Sequence, residues 1–76
     1  MKLSGHETDT RINHYVNDAR GNMQLRGSLA NCRAWAANQQ KLFTVFGFKA
    51  PSFSIYHDSA TQPAEVLPEI PLTFAH

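Results

Sequence analysis

The sequence predicts an α+β fold in which two antiparallel helices, at about residues 9–20 and 28–46, pack on a small two-stranded sheet. Two segments have apolar residues at helical spacing, and the short link between them favours an antiparallel pair. After Gly47 the pattern changes to alternation, which is typical of strands. We expect a single small domain over residues 1–76, in which residues 58–76 either complete the sheet or form an extended C-terminal arm.

The first predicted helix depends on a short apolar stripe. Its spacing of i, i+3, i+4 and i+7 is typical of one helical face and is found at Ile12, Tyr15, Val16 and Ala19. Asp9 and Thr8 are equally suitable N-caps because their side-chain oxygens can accept a hydrogen bond from a free N–H of the first turn. Gly21 is expected to end the helix.

The longer predicted helix contains the only Trp and the only Cys of the chain. At about 100° per residue, one side of it carries Leu25, Leu29, Cys32, Trp35, Ala36, Leu42, Phe43 and Phe46. Ser28 is a candidate N-cap, and Gly47 can adopt the positive φ that often follows a helix. A strand over residues 42–48 is the alternative. Gln39 lies within the apolar side, where it either bonds to nearby backbone or pairs across a subunit interface and fixes its register.

The C-terminal third of the chain has the pattern of strands and loops. Alternating apolar and polar residues over 52–57 predict a half-buried strand. Turn-forming residues predict a loop over 58–68. Alternation resumes over 69–74, where Pro71 restricts the segment to an edge strand or an extended arm.

Size and composition exclude several classes of protein. A chain of 76 residues buries only about 60% of its unfolded surface, so that a partner or self-association is a plausible source of further stability. One Cys cannot form an internal disulfide, and four scattered His offer no zinc quartet. The N-terminus lacks the apolar run of a signal peptide, and no segment has the length of a membrane span. We therefore expect a cytosolic protein without cofactor, metal or membrane partner.

Charged residues are segregated along the chain, although the net charge is only +1. Residues 19–57 contain no Asp or Glu, whereas residues 58–76 contain no Lys or Arg. The two segments either attract each other within the domain, or the basic segment faces an anionic partner.

No catalytic motif accompanies the nucleophilic residue types. The G-x-S-x-G turn of a nucleophile elbow is absent. His57 and Asp58 are adjacent, so in a strand their side chains would point to opposite faces. Cys32 lies on the apolar side of the predicted helix, which favours an inert, protonated thiol. We expect no enzymatic activity.

By elimination, the sequence predicts a small protein-binding module, an adaptor or inhibitor that recognises another protein, which could carry an acidic surface. The candidate partner-binding residues are Trp35, Lys41, Lys49 and Tyr56. An alternative is a nucleic-acid-binding protein that contacts phosphates through Arg20, Arg26, Arg33, Lys41 and Lys49. A third hypothesis is a structural homo-oligomer that packs through the long helix, with Gln39 at the seam.

Overall fold

A computed structural model describes residues 11–72 of the chain. The elements occur in the order β1 (His14–Asp18), β2 (Met23–Gly27), α1 (Leu29–Val45), β3 (Phe53–His57) and β4 (Glu65–Leu67). The four strands form one antiparallel sheet with the order β2-β1-β3-β4. The helix α1 packs on one face of this sheet, so that the described residues form two layers.

The prediction of two helices on a two-stranded sheet is wrong, because the described residues contain one helix and four strands. The predicted helix at 9–20 is replaced by β1 and the turn after it; residues 9 and 10 lie outside the described range. In β1, His14 and Val16 are buried while Tyr15 between them is half-buried, which is strand alternation. Tyr and Val favour strands, and the Asn and Asp that follow are poor helix formers.

The turn between β1 and β2 explains why this region forms a hairpin. Gly21 adopts a φ of 85°, which is accessible to glycine without a steric penalty. The Gly21 N–H donates to the carbonyl of Asp18, and the Asp18 N–H donates to the carbonyl of Asn22. The Asp18 carboxylate also accepts from the N–H groups of Arg20 and Asn22, each at 2.9 Å. This is a three-residue hairpin loop with glycine at the left-handed position, not a helix end.

The predicted limits of the long helix are confirmed to within one residue. Ser28 is the N-cap, and its hydroxyl accepts a hydrogen bond from the Asn31 N–H at 3.2 Å. Gly47 has a φ of 84°. The N–H groups of Gly47 and Phe48 donate to the carbonyls of Thr44 and Phe43. These two bonds form a Schellman motif that ends α1.

The prediction for the C-terminal part of the chain is confirmed for β3 and wrong for β4. Phe53 and Ile55 are buried in β3, as the alternation predicts. The segment predicted as a loop contains β4, which pairs with β3 through the register Phe53↔Leu67 and Ile55↔Glu65. The strand predicted over 69–74 is reduced to one bridge between Ala50 and Ile70, and residues 73 and 74 lie outside the described range. A three-residue strand between prolines gives too short an alternating pattern to be recognised.

The core lies between α1 and the two central strands. Its buried apolar residues are Val16, Cys32, Ala36, Phe53 and Ile55, with Leu25, Leu29, Trp35 and Leu67 packed around them. One polar side chain enters this layer: Gln40 is only 7% exposed. Its Nε2 donates to the carbonyls of Pro68 at 2.8 Å and Pro51 at 2.9 Å and lies 3.4 Å from the carbonyl of Leu67. Gln40 thereby connects the helix to the segments that enter β3 and leave β4.

Candidate protein-binding surface

The C-terminal end of α1 extends beyond the sheet. A helix of 17 residues is about 25 Å long, whereas the five-residue strands of the sheet are about 17 Å long. The helix begins directly after β2, at the end of the sheet where Gly27 pairs with His14. Its last turns therefore have too little sheet beneath them, and all residues from 41 to 49 are exposed.

This projecting end is apolar rather than charged. Leu42, Phe43, Phe46 and Phe48 line a shallow cleft of about 240 Å³, and we refer to these four residues as the aromatic tip. Phe46 is 71% exposed and Phe48 is 62% exposed. Large apolar side chains that cluster at the surface of a small domain indicate a binding site, whereas isolated ones do not. The helical spacing assigned Leu42, Phe43 and Phe46 to the core, and the structure corrects this assignment.

The chain after β4 enlarges the apolar surface. Ile70, Pro71 and Leu72 form a second cleft together with Phe48 and Thr44, with a volume of about 310 Å³. The segment is held in place by the bridge to Ala50, in which the Ala50 N–H donates to Ile70 at 3.0 Å and the Ile70 N–H donates to Ala50 at 3.1 Å. Phe48 lines both clefts, so the aromatic tip and this flank form one continuous surface.

The sequence-predicted partner-binding residues are separated by the fold. Lys41 and Lys49 are exposed and flank the aromatic tip in the sequence. Trp35 is half-buried and packs edge-to-face on Phe53 with a centroid distance of 5.4 Å, which makes it a part of the core margin. Tyr56 lies on the opposite face of the sheet, because its neighbour Ile55 faces α1. The fold therefore places Trp35 in a cleft with Phe43 of the aromatic tip, leaves Lys41 and Lys49 next to the tip in sequence, and puts Tyr56 on the other face of the sheet.

Gln39, the residue predicted at an oligomer seam, is half-buried beside the aromatic tip. It lines a cleft with Trp35, Phe43 and Phe53. Its amide makes no hydrogen bond within residues 11–72. The glutamine that enters the core is the next residue, Gln40, because the sheet-facing line of α1 runs through Cys32, Ala36 and Gln40.

The segregated charges pair with each other across the fold. Each acidic residue described after position 57 contacts a basic residue of the middle segment: Asp58 contacts Arg26, Glu65 contacts Arg33 at 2.6 Å and Glu69 contacts Lys49 at 3.7 Å. This is the internal attraction that the charge pattern suggested. Three of the five predicted phosphate contacts, Arg26, Arg33 and Lys49, thus each have a carboxylate partner. Arg20 is exposed in the turn between β1 and β2, whereas Arg26 lies near the other end of β2 and Arg33 lies on α1.

The Arg26–Asp58 pair has the strongest geometry of the three. The two terminal nitrogens of the Arg26 guanidinium, Nη1 and Nη2, each donate to one carboxylate oxygen of Asp58 at 2.6 Å. The hydrogen bond from Arg26 lowers the pKa of Asp58, and the same hydrogen bond raises the pKa of Arg26. Tyr15 and Tyr56 stack beside this pair on the face opposite α1, with centroids 5.3 Å apart and an interplanar angle of 9°. These residues tie β1, β2 and β3 together on that face.

The described residues provide no arrangement for nucleophilic or metal chemistry. The Nδ1 of His57 interacts with Ser59 at 2.8 Å, while the Asp58 carboxylate is turned to Arg26. Cys32 is fully buried, and burial raises the pKa of its thiol, although a hydrogen bond involving the Gly27 backbone acts in the opposite direction. Within residues 11–72, no three His, Cys, Asp or Glu side chains are grouped closely enough to hold a metal ion.

In the part of the chain that the structure describes, no helix combines the length and the apolar character needed to cross a membrane. Comparisons with protein families, with characterised proteins and with solved structures gave no match. The exposed surface is therefore the main indication of function in this protein.

Sequence reasoning missed the aromatic tip for a geometrical reason. Periodicity gives the direction in which a side chain points from the helix axis, but not how far the neighbouring sheet extends along that axis. A usable signal was present: four aromatic or large aliphatic residues, at 42, 43, 46 and 48, lie within the seven residues around the helix end. Strands of five residues are too short to cover so many apolar side chains at one end of a 17-residue helix.

Proposed function

We propose that this protein is a small protein-binding module that uses the aromatic tip as its docking surface. The observation that carries the proposal is the exposure of Phe46 and Phe48 beside Leu42 and Phe43 on a helix end that the sheet does not cover. Exposing such a surface to water is unfavourable by about 25 cal/mol per Å². When a partner covers this surface, the free energy of association becomes more favourable by this amount, and the fold does not need to change.

Aromatic residues around a shallow cleft fit the chemistry of protein recognition. Aromatic side chains bury a large area with few rotatable bonds, and they are enriched at the centres of interfaces. Lys41 and Lys49 flank the aromatic tip and form part of a polar rim. Lys41 takes part in no ion pair within residues 11–72, so it can contribute to recognition of an acidic neighbour. The protein would act by surface complementarity with the protein that covers the aromatic tip.

The proposed location is the cytosol. The chain contains one Cys, which is buried and not part of a disulfide. A buried free thiol is stable in the reducing environment of that compartment.

Site-specific photocrosslinking tests the proposal. A benzophenone amino acid replaces Phe46 in the full chain, and in a second sample it replaces Ile12. Ile12 is a matched control because it is 65% exposed but precedes β1 at the end of the sheet where α1 begins. After irradiation in the cells that make the protein, we expect the photoreactive residue at position 46 to form crosslinks to another polypeptide chain. The same residue at position 12 should not form these crosslinks.

A second variant separates specific docking from general stickiness. Phe48→Asp, combined with the photoreactive residue at 46, should remove the crosslinks because the carboxylate would be desolvated in the docked state. Crosslinks that persist in this variant, or that are the same from positions 12 and 46, would rule out the aromatic tip as the docking surface.

A further inference from the structure

We infer that the protein which covers the aromatic tip is a second copy of this chain, so that the functional form is a two-fold symmetric dimer. The inference rests on the proposed function and names its partner. Four observations support it: the area of the apolar surface, the absence of charge within it, the alignment of its residues along α1, and the small size of the domain.

The exposed area is of the size that a dimer needs. The aromatic tip together with Ile70 and Leu72 has exposed fractions from 39% to 71%. If a large apolar side chain offers on the order of 150–200 Å², these residues present roughly 500 Å² per copy. Two copies would bury roughly 1,000 Å² of apolar surface, and the polar rim would bring the total into the usual range of about 1,200–2,000 Å² for specific interfaces.

The composition of the surface allows it to pack on itself. Residues 42–48 contain no charged side chain, and the same is true of residues 70–72. The rim carries both signs, with Lys41 and Lys49 positive and Glu69 negative. Because a two-fold axis places the same patch on both sides of an interface, an apolar centre creates no repulsion between like charges. The mixed rim can bring a lysine of one copy close to Glu69 of the other.

The alignment of side chains along α1 suits a helix–helix contact. Gln39, Leu42 and Phe46 follow one another at intervals of three and four residues, which places them along one side of the helix. This line is separate from the sheet-facing line through Cys32, Ala36 and Gln40. Two projecting helix ends can therefore lie side by side around a two-fold axis near Leu42 and Phe46, with each Gln39 at the inner margin of the contact.

The size of the domain also favours a second copy. The described residues contain only a few fully buried apolar side chains, the largest being Ile55, Val16 and Cys32. Small domains bury a smaller fraction of their surface than large ones and gain correspondingly little stability from their own core. A second copy is present wherever the protein is made. Association of two copies would bury the apolar surfaces of both against each other, and no other gene product is needed.

Sedimentation velocity of the full chain tests the inference. The concentration is varied between about 1 µM and about 1 mM, which covers weak to moderate association. The expected result is a concentration-dependent shift from 8.5 kDa to twice this mass. Phe46→Asp and Phe48→Asp should each raise the dissociation constant at least about tenfold, since burial of one Phe side chain contributes that much to affinity. Ile12→Asp should leave it unchanged.

The outcomes distinguish this inference from the proposed function. A mass of 8.5 kDa at all concentrations, or a dimer that Phe46→Asp and Phe48→Asp leave equally stable, overturns the dimer. If the chain is monomeric but position 46 crosslinks to a different protein, the docking surface stands and only its partner changes. A dimer that both Asp variants weaken, with circular dichroism showing that the variants remain folded, supports the inference.

Discussion

Replacing Gln40 should strongly weaken the fold, because this one side chain joins three segments of the chain. Its Nε2 donates to the carbonyls of Pro68 and Pro51 at 2.8 and 2.9 Å. Each such hydrogen bond contributes about 0.5–1.5 kcal/mol net, so Gln40→Met should lower the free energy of unfolding by about 1–3 kcal/mol. A domain of this length is expected to have roughly 4–11 kcal/mol in total, so the loss would be a substantial fraction.

A second substitution at the same position tests whether carbonyl oxygens surround the side chain. Gln40→Glu would aim carboxylate oxygens at carbonyl oxygens that now accept hydrogen bonds, so it should be more destabilising than Gln40→Met. Asn38→Met is the control, because Asn38 is exposed on the same helix and makes no hydrogen bond through its side chain within residues 11–72. It should change the unfolding free energy by less than about 0.5 kcal/mol.

The assay is urea unfolding at neutral pH and one fixed protein concentration, followed by circular dichroism, with the slope against denaturant compared between variants. The expected order of stability is the unmodified chain, then Gln40→Met, then Gln40→Glu. If Gln40→Met is as stable as Asn38→Met, the hydrogen bonds of Gln40 do not stabilise the fold. If Gln40→Glu matches Gln40→Met, the three carbonyls do not surround this position.

Three further predictions follow from the turns, the ion pair and the thiol. Asp58→Asn should lower the free energy of unfolding at pH 7. Because the pKa of Asp58 is lowered in the folded state, the difference in free energy of unfolding between this variant and the unmodified chain should shrink as the pH falls below the unfolded pKa of about 3.9. Urea unfolding of both proteins at a series of acidic pH values would show this decrease or contradict it. Gly47→Ala should lower the free energy of unfolding by about 1 kcal/mol, because φ is 84° at this position, although the added methyl group would meet no atom. Gly27→Ala should lower it less, because Gly27 has an ordinary φ and the added methyl group would only make a 3.6 Å contact with Asn31. Thermal unfolding of the two variants gives the comparison. Cys32 should react with a thiol reagent only when the protein opens, because it is fully buried and its pKa is raised; rapid labelling of the folded protein would contradict this.

The helix was predictable because its signals are local. Ser28 and Gly47 mark its ends by hydrogen bonds within one turn of the chain, and β3 shows its alternation over adjacent residues. The internal pairing of the basic and acidic segments was also open to prediction, since residues of opposite charge in two halves of a small domain can attract each other. That pairing connects the chain after β3 to β2 through Arg26 and to α1 through Arg33.

The elements that the sequence concealed depend on contacts between distant segments. The apolar spacing at residues 12–19 fits a helix, and only the Gly21 turn and the pairing with β2 and β3 decide for a strand. The strand β4 has three residues, and its existence depends on the backbone of β3. The aromatic tip requires knowledge of where the sheet stops, which no local pattern contains.

The position of Trp35 makes the protein its own spectroscopic reporter. It is the only Trp in the chain, and its indole ring contacts Phe53 where the helix meets the sheet. Intrinsic fluorescence excited at the indole band should therefore follow the separation of the two layers and not events at a remote terminus. The parallel Tyr15 and Tyr56 rings offer a second optical signal, in near-ultraviolet dichroism, that reports on the other face of the sheet. One unlabelled sample could thus show whether the helix detaches before the strands separate.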